Sequence, residues 1–374
     1  MKAVVVGAGI AGLSTAIALR KAGLDVVVLE RAERLEELGA GLVMSANAMR
    51  ALDRLGVGAA VRARGYRATR ARVPDQNGKV LFEVPYEREG WETYGVHRGD
   101  LQAALLDVLG HETVRLGRAC TGLEAAPDGR RVLLAGGGAE EGDVLVGADG
   151  IRSSVRDALF GPSRLRYSGH VAWRAVTPFE HSALEGTFTE TWGPRLLFGT
   201  VPIGGGRVYW YVSERAPEDT PLSASPKAEF GRRFADWHEP IPAVIAATDE
   251  AALSRTFIYD LPPLRRWGSG RATLVGDAAH PMVPNLGQGA AQALEDAVVL
   301  GDELGRATDD EAALRRYEAR RRKRAARVVK QSRQAGQTAQ VNSPLARALR
   351  NTLIRAVPER ILLAQQRKLY EAIL

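Results

Sequence analysis

The sequence predicts an α/β protein: a Rossmann-like parallel-sheet domain, an inserted antiparallel sheet and a C-terminal helical region. Three observations predict it. Short apolar runs without polar alternation recur at Lys2–Val6, Asp25–Leu29, Asp143–Val146 and Ala272–Val275, the pattern of strands buried on both faces of a parallel sheet. From Tyr167 to about Ser213 the chain turns β-rich, with Gly-Pro and Gly-Gly-Gly turns between segments. Beyond Leu304 it reads as helix throughout.

The elements follow in order. Lys2–Val6 leads into Gly7-Ala8-Gly9-Ile10-Ala11-Gly12. A helix is predicted over Leu13–Ala22, with Arg20 and Lys21 in its last turn and Gly23 just beyond. The strand Asp25–Leu29 ends at Glu30, completing a βαβ unit. Helices are predicted over Ser45–Leu55 and Asp100–Leu109, with strands at Lys79–Val84 and Arg131–Leu134. Asp143–Val146 runs into Gly147-Ala148-Asp149-Gly150. In the β-rich part, Phe188–Trp192, Leu196–Val201 and Arg207–Val212 read as strands. Alternation puts Tyr209 and Tyr211 on one face and Trp210 on the other. A helix over Ala228–Asp236, the strand Ala272–Val275 and a helix over Gln288–Leu304 follow. The expected division is 1–165 and 266–310 for the nucleotide-binding domain, with small inserted strands around 65–95. The inserted sheet takes 166–265 and the C-terminal helices 311–374.

Composition excludes several classes. The 374 residues carry 51 Lys+Arg against 44 Asp+Glu, a net charge of +7, too modest to signal a nucleic-acid partner. Nine Lys/Arg lie between Arg315 and Lys330, without the aromatic interleaving that recognition needs. They predict a solvated basic helix face. The single cysteine, Cys120, excludes an internal disulfide or a Cys-cluster metal site and fits a reducing cytoplasm. No metal site is expected. No apolar run reaches the roughly 18 residues of a membrane span, and no signal peptide is read at the N-terminus. Apolar stripes such as Leu345, Leu349 and Leu353 predict packing or a dimer contact, so a monomer or homodimer is expected.

The glycine motif carries chemistry. Gly7 permits a tight turn, Gly9 lets the backbone approach a pyrophosphate, and Gly12 lets helix and strand pack closely. The helix N-terminus offers free N–H groups to the phosphates. Glu30, at the end of the next strand, can accept ribose hydroxyls. This context points to a dinucleotide and leaves FAD and NAD both open.

Two later motifs bear on that choice. They are Val146-Gly147-Ala148-Asp149-Gly150 followed by Ile151-Arg152-Ser153-Ser154-Val155-Arg156, and Leu274-Val275-Gly276-Asp277-Ala278-Ala279-His280-Pro281 continuing through Pro284-Asn285-Leu286-Gly287-Gln288-Gly289. With the first motif, and in this order, they resemble the group A flavoprotein monooxygenases, the aromatic-ring hydroxylases. The resemblance covers about the first 330 residues. It implies FAD as cofactor, held by Gly7, Gly9, Ala11, Gly12, Glu30, Arg31, Val43, Arg98, Cys120, Asp149, Asp277, Gly287, Gln288, Gly289 and Ala290. Within it, Asp277 meets the ribityl side, Arg98 reaches the diphosphate, and Cys120 passes the adenine by its backbone. The amides at Gly287-Gln288-Gly289 face the flavin's pyrimidine end, where a helix dipole favours negative charge. Arg152 and Arg156 fall near phosphates in a transient pyridine-nucleotide site.

The resemblance also implies a reaction. NADH or NADPH reduces FAD, O2 adds to give a flavin C4a-hydroperoxide, and one oxygen atom passes to a small substrate. Arg195 and Tyr209 match substrate-contacting positions of the purine-hydroxylating branch, and Pro284 lines the pocket. Arg195 equally reads as an exposed turn residue after Gly193-Pro194. Departures matter: Ala172 stands where that branch has asparagine, and Phe198 where phenolic-acid branches place a histidine. Gly206-Arg207-Val208-Tyr209-Trp210 is closer to the epoxidase-like branch. A phenol, an N-heterocycle or an alkene all remain open as substrate, with His170 and His181 as candidate bases by residue type. An FAD oxidoreductase without oxygen transfer, or a flavin-binding protein without turnover, are the competing readings.

Overall fold

In the computed structural model, residues 1–35, 40–126 and 129–371 are described. Among them, five parallel strands form a sheet in the order Ala272–Leu274, Val144–Gly147, Lys2–Val6, Asp25–Leu29, Val114–Arg115. The β-branched runs fill this sheet from both sides: Ala3, Val4, Val5, Val28, Val144 and Val146 are almost fully buried. Helices Ile10–Lys21 and Gly289–Gly305 pack together on it. Their contact is close because Gly301 lacks a side chain; a Cβ there would lie 2.9 Å from the Ala18 Cβ.

The inserted sheet has the order Ser254–Asp260, Arg166–Pro178, Arg207–Arg215, Leu196–Pro202, Thr187–Trp192, Arg70–Pro74, Val80–Val84. It therefore recruits two strands from the segment around 65–95. Its two faces differ in kind. On one, Trp173, Phe198, Trp210 and Val212 pack against Phe230 and Phe234 of the helical layer, with Phe198 and Trp210 stacked at 5.2 Å. At about 1.5–3 kcal/mol for each large apolar side chain buried, this face fixes the sheet. On the other, Arg174, Val176, Glu190 and Tyr211 stay only half-buried, so that face is the more open of the two. The predicted split of Tyr209 and Tyr211 from Trp210 is what places aromatic rings on both faces.

A small sheet of Gly41–Met44, Thr93–His97 and Tyr66–Ala68 joins the two larger ones. Gly95 makes the joint possible, because a Cβ there would stand 2.1 Å from the Pro202 carbonyl oxygen. After Gly305 the chain is helical, over Asp310–Ala339, Pro344–Ala356 and Glu359–Tyr370.

The expectation of a solvated basic face between Arg315 and Lys330 is corrected. Arg321 is fully buried and pairs with both Glu295 and Asp296. Arg324 reaches Glu295 at 2.8 Å, Arg316 and Arg320 share Glu303, and Arg315 pairs with Glu318. Apart from Glu318, the acidic partners lie on the preceding helix, a match that a charge count along one segment does not reveal.

Candidate active site

The carboxyl ends of four parallel strands place the three motifs at one edge of the sheet, the ligand-binding edge of open α/β folds. Gly7 follows Lys2–Val6 with φ 106°. A Cβ on Gly7 would lie 2.5 Å from the Ala148 carbonyl oxygen, and one on Gly12 only 1.7 Å from the Gly7 oxygen. Gly276 is packed as tightly, 2.7 Å from the Ala11 Cβ. First, second and third motifs thus touch through backbone and Cβ atoms that only glycine and alanine allow. Gly9, Gly287 and Gly289 are the opposite case: open space lies where a Cβ would stand. These open positions border the room a pyrophosphate and a flavin require.

The charged residues frame that room. Glu30 accepts from the Ala8 and Ala32 amides at 2.7 and 3.0 Å, which holds its carboxylate beside the glycine turn. Arg98 starts the helix Arg98–Leu109, and Gln102 on that helix donates to the Ala8 carbonyl at 2.9 Å. Burial pushes the Arg98 guanidinium down from its ordinary value, and Asp277 pulls it back up. Asp277 is the counterpart: protein around it pushes its carboxyl up, while His280 and Arg98 draw it down. Its side chain nonetheless stays exposed. A group crowded by protein yet open to solvent stands in the wall of a cleft. Arg31 is exposed, and Val43 is half-buried on the strand Gly41–Met44.

Several expected residues take other positions. Asp149 accepts from Ser153 Oγ and from the Val155 amide, so its carboxylate caps the helix Ser154–Phe160. Cys120 is half-buried; burial, then the nearby Asp149, push its thiol up to about 11. Gln288 is buried and its side chain binds Ser45, Asn47 and Gln292, leaving its backbone for the cleft. Arg156 corrects the expectation of a phosphate contact: it is buried and donates to Ser163, Ala278 and Ile151. It ties the second motif to the residue after Asp277. Arg152 is exposed, with its guanidinium 5.9 Å from the Tyr259 ring. Ala290 packs against the core of the parallel sheet.

Beneath the third motif lies a buried polar network that the sequence reading missed. Asp296 accepts from the Gly276 amide, from His280 Nε2 and from Arg321 Nε at 2.9, 2.5 and 2.8 Å. Glu295 accepts from Asn47 at 2.7 Å and from Arg321 and Arg324. Burial raises both carboxyls, but the arginines, with His280 at Asp296, outweigh it and hold them below the ordinary carboxylate range. The i, i+1 acidic pair on a largely apolar helix was the available signal.

An apolar and aromatic cluster lies beside the cleft. Tyr209, Phe188 and Val201 of the inserted sheet cluster with Val43, Met282, Leu286, Tyr86 and Tyr370. Tyr209 sits against Gly41, where a Cβ would lie 2.4 Å from the tyrosine's own. Burial pushes the Tyr209 hydroxyl up, and the positive charge of the neighbouring Arg174 lowers it. Arg174, also within electrostatic reach of Arg98, is a residue that sequence reasoning did not find. An arginine inside an otherwise apolar strand was the signal. Pro284 is exposed at the start of the turn Pro284–Leu286.

The structure does not bring Arg195 to Tyr209. Register pairs Tyr209 with Val201 and Glu214 with Leu196. Arg195 is therefore 201 − 195 = 6 residues from Val201, roughly 20 Å along the strand. It stands exposed in a hairpin turn with φ 64°. His170 lies on the Arg215 rung and His181 caps a short turn near Phe179, so neither histidine joins Tyr209.

A family model described as the FAD binding domain matches residues 1–332. The chain belongs to that family, the group A flavin monooxygenases. Among its relatives, the aurachin C monooxygenase/isomerase of Stigmatella aurantiaca is 41% identical over 94% of this chain and 93% of that protein. The 2-heptyl-3-hydroxy-4(1H)-quinolone synthase of Pseudomonas aeruginosa is 36% identical over 99% and 97%. The crystal structure of Klebsiella pneumoniae HpxO complexed with FAD and uric acid superposes with a TM-score of 0.92. It is 31% identical and covers 99% of this chain and 97% of that one. This chain is thus an FAD-dependent monooxygenase, and the choice between FAD and NAD left open by the first motif falls to FAD. The competing reading of a flavin enzyme without oxygen transfer is set aside. The open backbone at Gly9, Gly287 and Gly289 and the exposed Asp277 fit the flavin monooxygenase's cofactor. No helix among the described residues is long and apolar enough to cross a membrane.

Proposed function

We propose that this monooxygenase uses NADH or NADPH and O2 to hydroxylate a planar aromatic or heteroaromatic ring lying against the open face of the inserted sheet. The observation that carries this reading is the apolar and aromatic cluster in which Tyr209 on that sheet meets Val43, Met282 and Leu286 on the cofactor side. Its apolar walls exclude bulk water, which such oxygen transfer requires. Bound FAD supplies the redox and oxygen-transfer chemistry. The chain's own residues do the positioning. The glycine turns, Glu30, Arg31, Arg98 and Asp277 bind the cofactor's ADP and ribityl parts, with Asp149, Cys120 and Ala11 shaping the backbone around them. The amides at Gly287-Gln288-Gly289 and Ala290 present a helix N-terminus to the ring system. Tyr209, held by Arg174, donates or relays a proton at a substrate oxygen, and Pro284 fixes the loop beside it.

The names of three relatives, 4-quinolone, urate and aminohydroxybenzoate enzymes, support an aromatic or heteroaromatic substrate over a simple alkene. The single thiol fits work in a reducing compartment. The exposed Leu345, Leu349 and Leu353 are consistent with a homodimer. Anaerobic reduction of the FAD-loaded chain by NADH and NADPH, with and without a panel of aromatic ligands, tests the reading. Ligand-accelerated reduction followed by a hydroxylated product supports it; a chain that neither nucleotide reduces with any ligand overturns it. In the same assay Tyr209→Phe and Arg174→Ala are expected to lower kcat/KM about 10- to 100-fold at unchanged FAD content.

A further inference from the structure

The open face of the inserted sheet has a polar end that the reaction does not use. Register sets Arg174 opposite Tyr211, Tyr211 opposite Gly199, and Gly199 opposite Glu190. These four residues form one rung across the open face, with a cation at one end and a carboxylate at the other. Gly199 connects them. A Cβ there would stand 2.1 Å from the Tyr211 ring, so only glycine lets the ring lie across the strand toward Glu190. Tyr211 donates its hydroxyl hydrogen to Glu190 Oε2 at 2.7 Å, and Trp192 donates its indole N–H to Oε1 at 2.8 Å. The Tyr211 ring is 5.7 Å from that of Tyr209, which continues the row toward the cofactor cleft.

Glu190 is unusual among the carboxylates of this chain. Most of the others that are crowded by protein, such as Asp260, Glu295 and Asp296, meet an arginine. Glu190 has no salt bridge among the described residues; its partners are Tyr211 and Trp192. It is surrounded by protein, so burial pushes its carboxyl up, yet it remains only half-buried. A carboxylate offers about four acceptor positions, and the two neighbours take two. The others are left for a ligand on the open face of the sheet.

We propose that Glu190 is a specificity-determining residue: it accepts a hydrogen bond from an N–H or O–H of a neutral planar ring and excludes aromatic carboxylates from the pocket. This rests on the substrate pocket lying against the open sheet face, as proposed above. An aromatic carboxylate with its charged group at this end meets a second negative charge in a low-dielectric site, beside a carboxylate that has no salt bridge among the described residues. A neutral heterocycle with an N–H there completes the acceptor set, and the apolar lining around Phe188, Tyr86 and Tyr370 accepts an alkyl substituent.

Isothermal titration of the full-length, FAD-loaded chain tests this with three probes: 2-heptyl-4(1H)-quinolone, its 2-heptylchromone isostere in which ring oxygen replaces N–H, and 2-hydroxybenzoate. The wild-type chain is expected to bind the quinolone at least about 10-fold tighter than the chromone, the scale on which polar sites reject a missing donor. Glu190→Ala is expected to bring that ratio close to one. Glu190→Gln, which keeps the side chain's size and removes its charge, is expected to tighten 2-hydroxybenzoate binding about 10-fold; it stands as the test if the alanine variant does not fold. Equal wild-type affinity for quinolone and chromone, no wild-type binding of the quinolone at 1 mM (roughly the −4 kcal/mol limit of weak recognition), or a ratio unchanged in both variants would each overturn the proposal. Failure of the parent reading appears separately, as a flavin that NADH and NADPH do not reduce.

Discussion

At the scale of single residues, this chain separates positions that must be small from positions that must be empty. Gly12 belongs to the first kind. Gly12→Ala forces a methyl group to 1.7 Å from the Gly7 oxygen, and the first helix must move away from the strand. The cost exceeds the usual 1–3 kcal/mol of overpacking. The expected result is a chain purified with little or no FAD, read from the ratio of visible to ultraviolet absorbance. Cys120 gives a prediction of opposite character. With its thiol pushed up to about 11, only about one molecule in a thousand carries the reactive thiolate at pH 8. A thiol reagent is expected to label native protein slowly at pH 8 and faster as pH rises toward that value, and at the ordinary rate once the chain is unfolded. Cys120→Ala is expected to retain FAD.

At the scale of elements, the Asp310–Ala339 helix braces the Gly289–Gly305 helix. Arg321→Met leaves Glu295 and Asp296 buried with a lost partner, which costs about 3–5 kcal/mol. A lower Tm in both FAD-loaded and FAD-free protein is the expected readout; Arg327→Met, away from those carboxylates, is the comparison. The elements also show what was legible from sequence. Lys2–Val6, Asp25–Leu29 and Ala272–Leu274 were found because a strand buried on both faces needs no partner to be recognised. The strand holding Val43 was not: Gly41–Met44 is short, and its meaning comes from the approach of Gly41 to Tyr209 on the inserted sheet. The site divides the same way. Glycines act through their own backbone, so their motif is local. Arg174, Tyr211 and Glu190 act through a register that joins positions up to 211 − 174 = 37 residues apart, and no local pattern carries it. Arg195 was expected at the site from its match to the purine-hydroxylating branch, and the register sets it six residues along the strand from the Val201 rung that faces Tyr209.

At the scale of the whole molecule, the depressed carboxyls of Glu295 and Asp296 set an acid limit. A carboxyl lower in the folded than in the unfolded chain adds stability above its unfolded value, lost as pH falls through the folded value. Unfolding free energy is therefore expected to fall below about pH 4, the ordinary carboxylate range, when urea melts are compared at pH 7, 5, 4 and 3. In Arg321→Met, Glu295 and Asp296 lose that depression and this acid-dependent loss is expected to shrink. The sheet order has a further consequence, one of timing. The edge of Val144–Gly147 is covered by Ala272–Leu274, which follows 272 − 147 = 125 residues later. At about 5–20 residues per second, a ribosome needs roughly 6–25 s to deliver it. For that interval the nascent chain presents an uncovered apolar strand edge, and five of the inserted sheet's seven strands, from Arg166–Pro178 to Ser254–Asp260, are synthesised within it. The nucleotide-binding half must wait for its own last strand, so during synthesis the substrate-side sheet is the unit able to fold first.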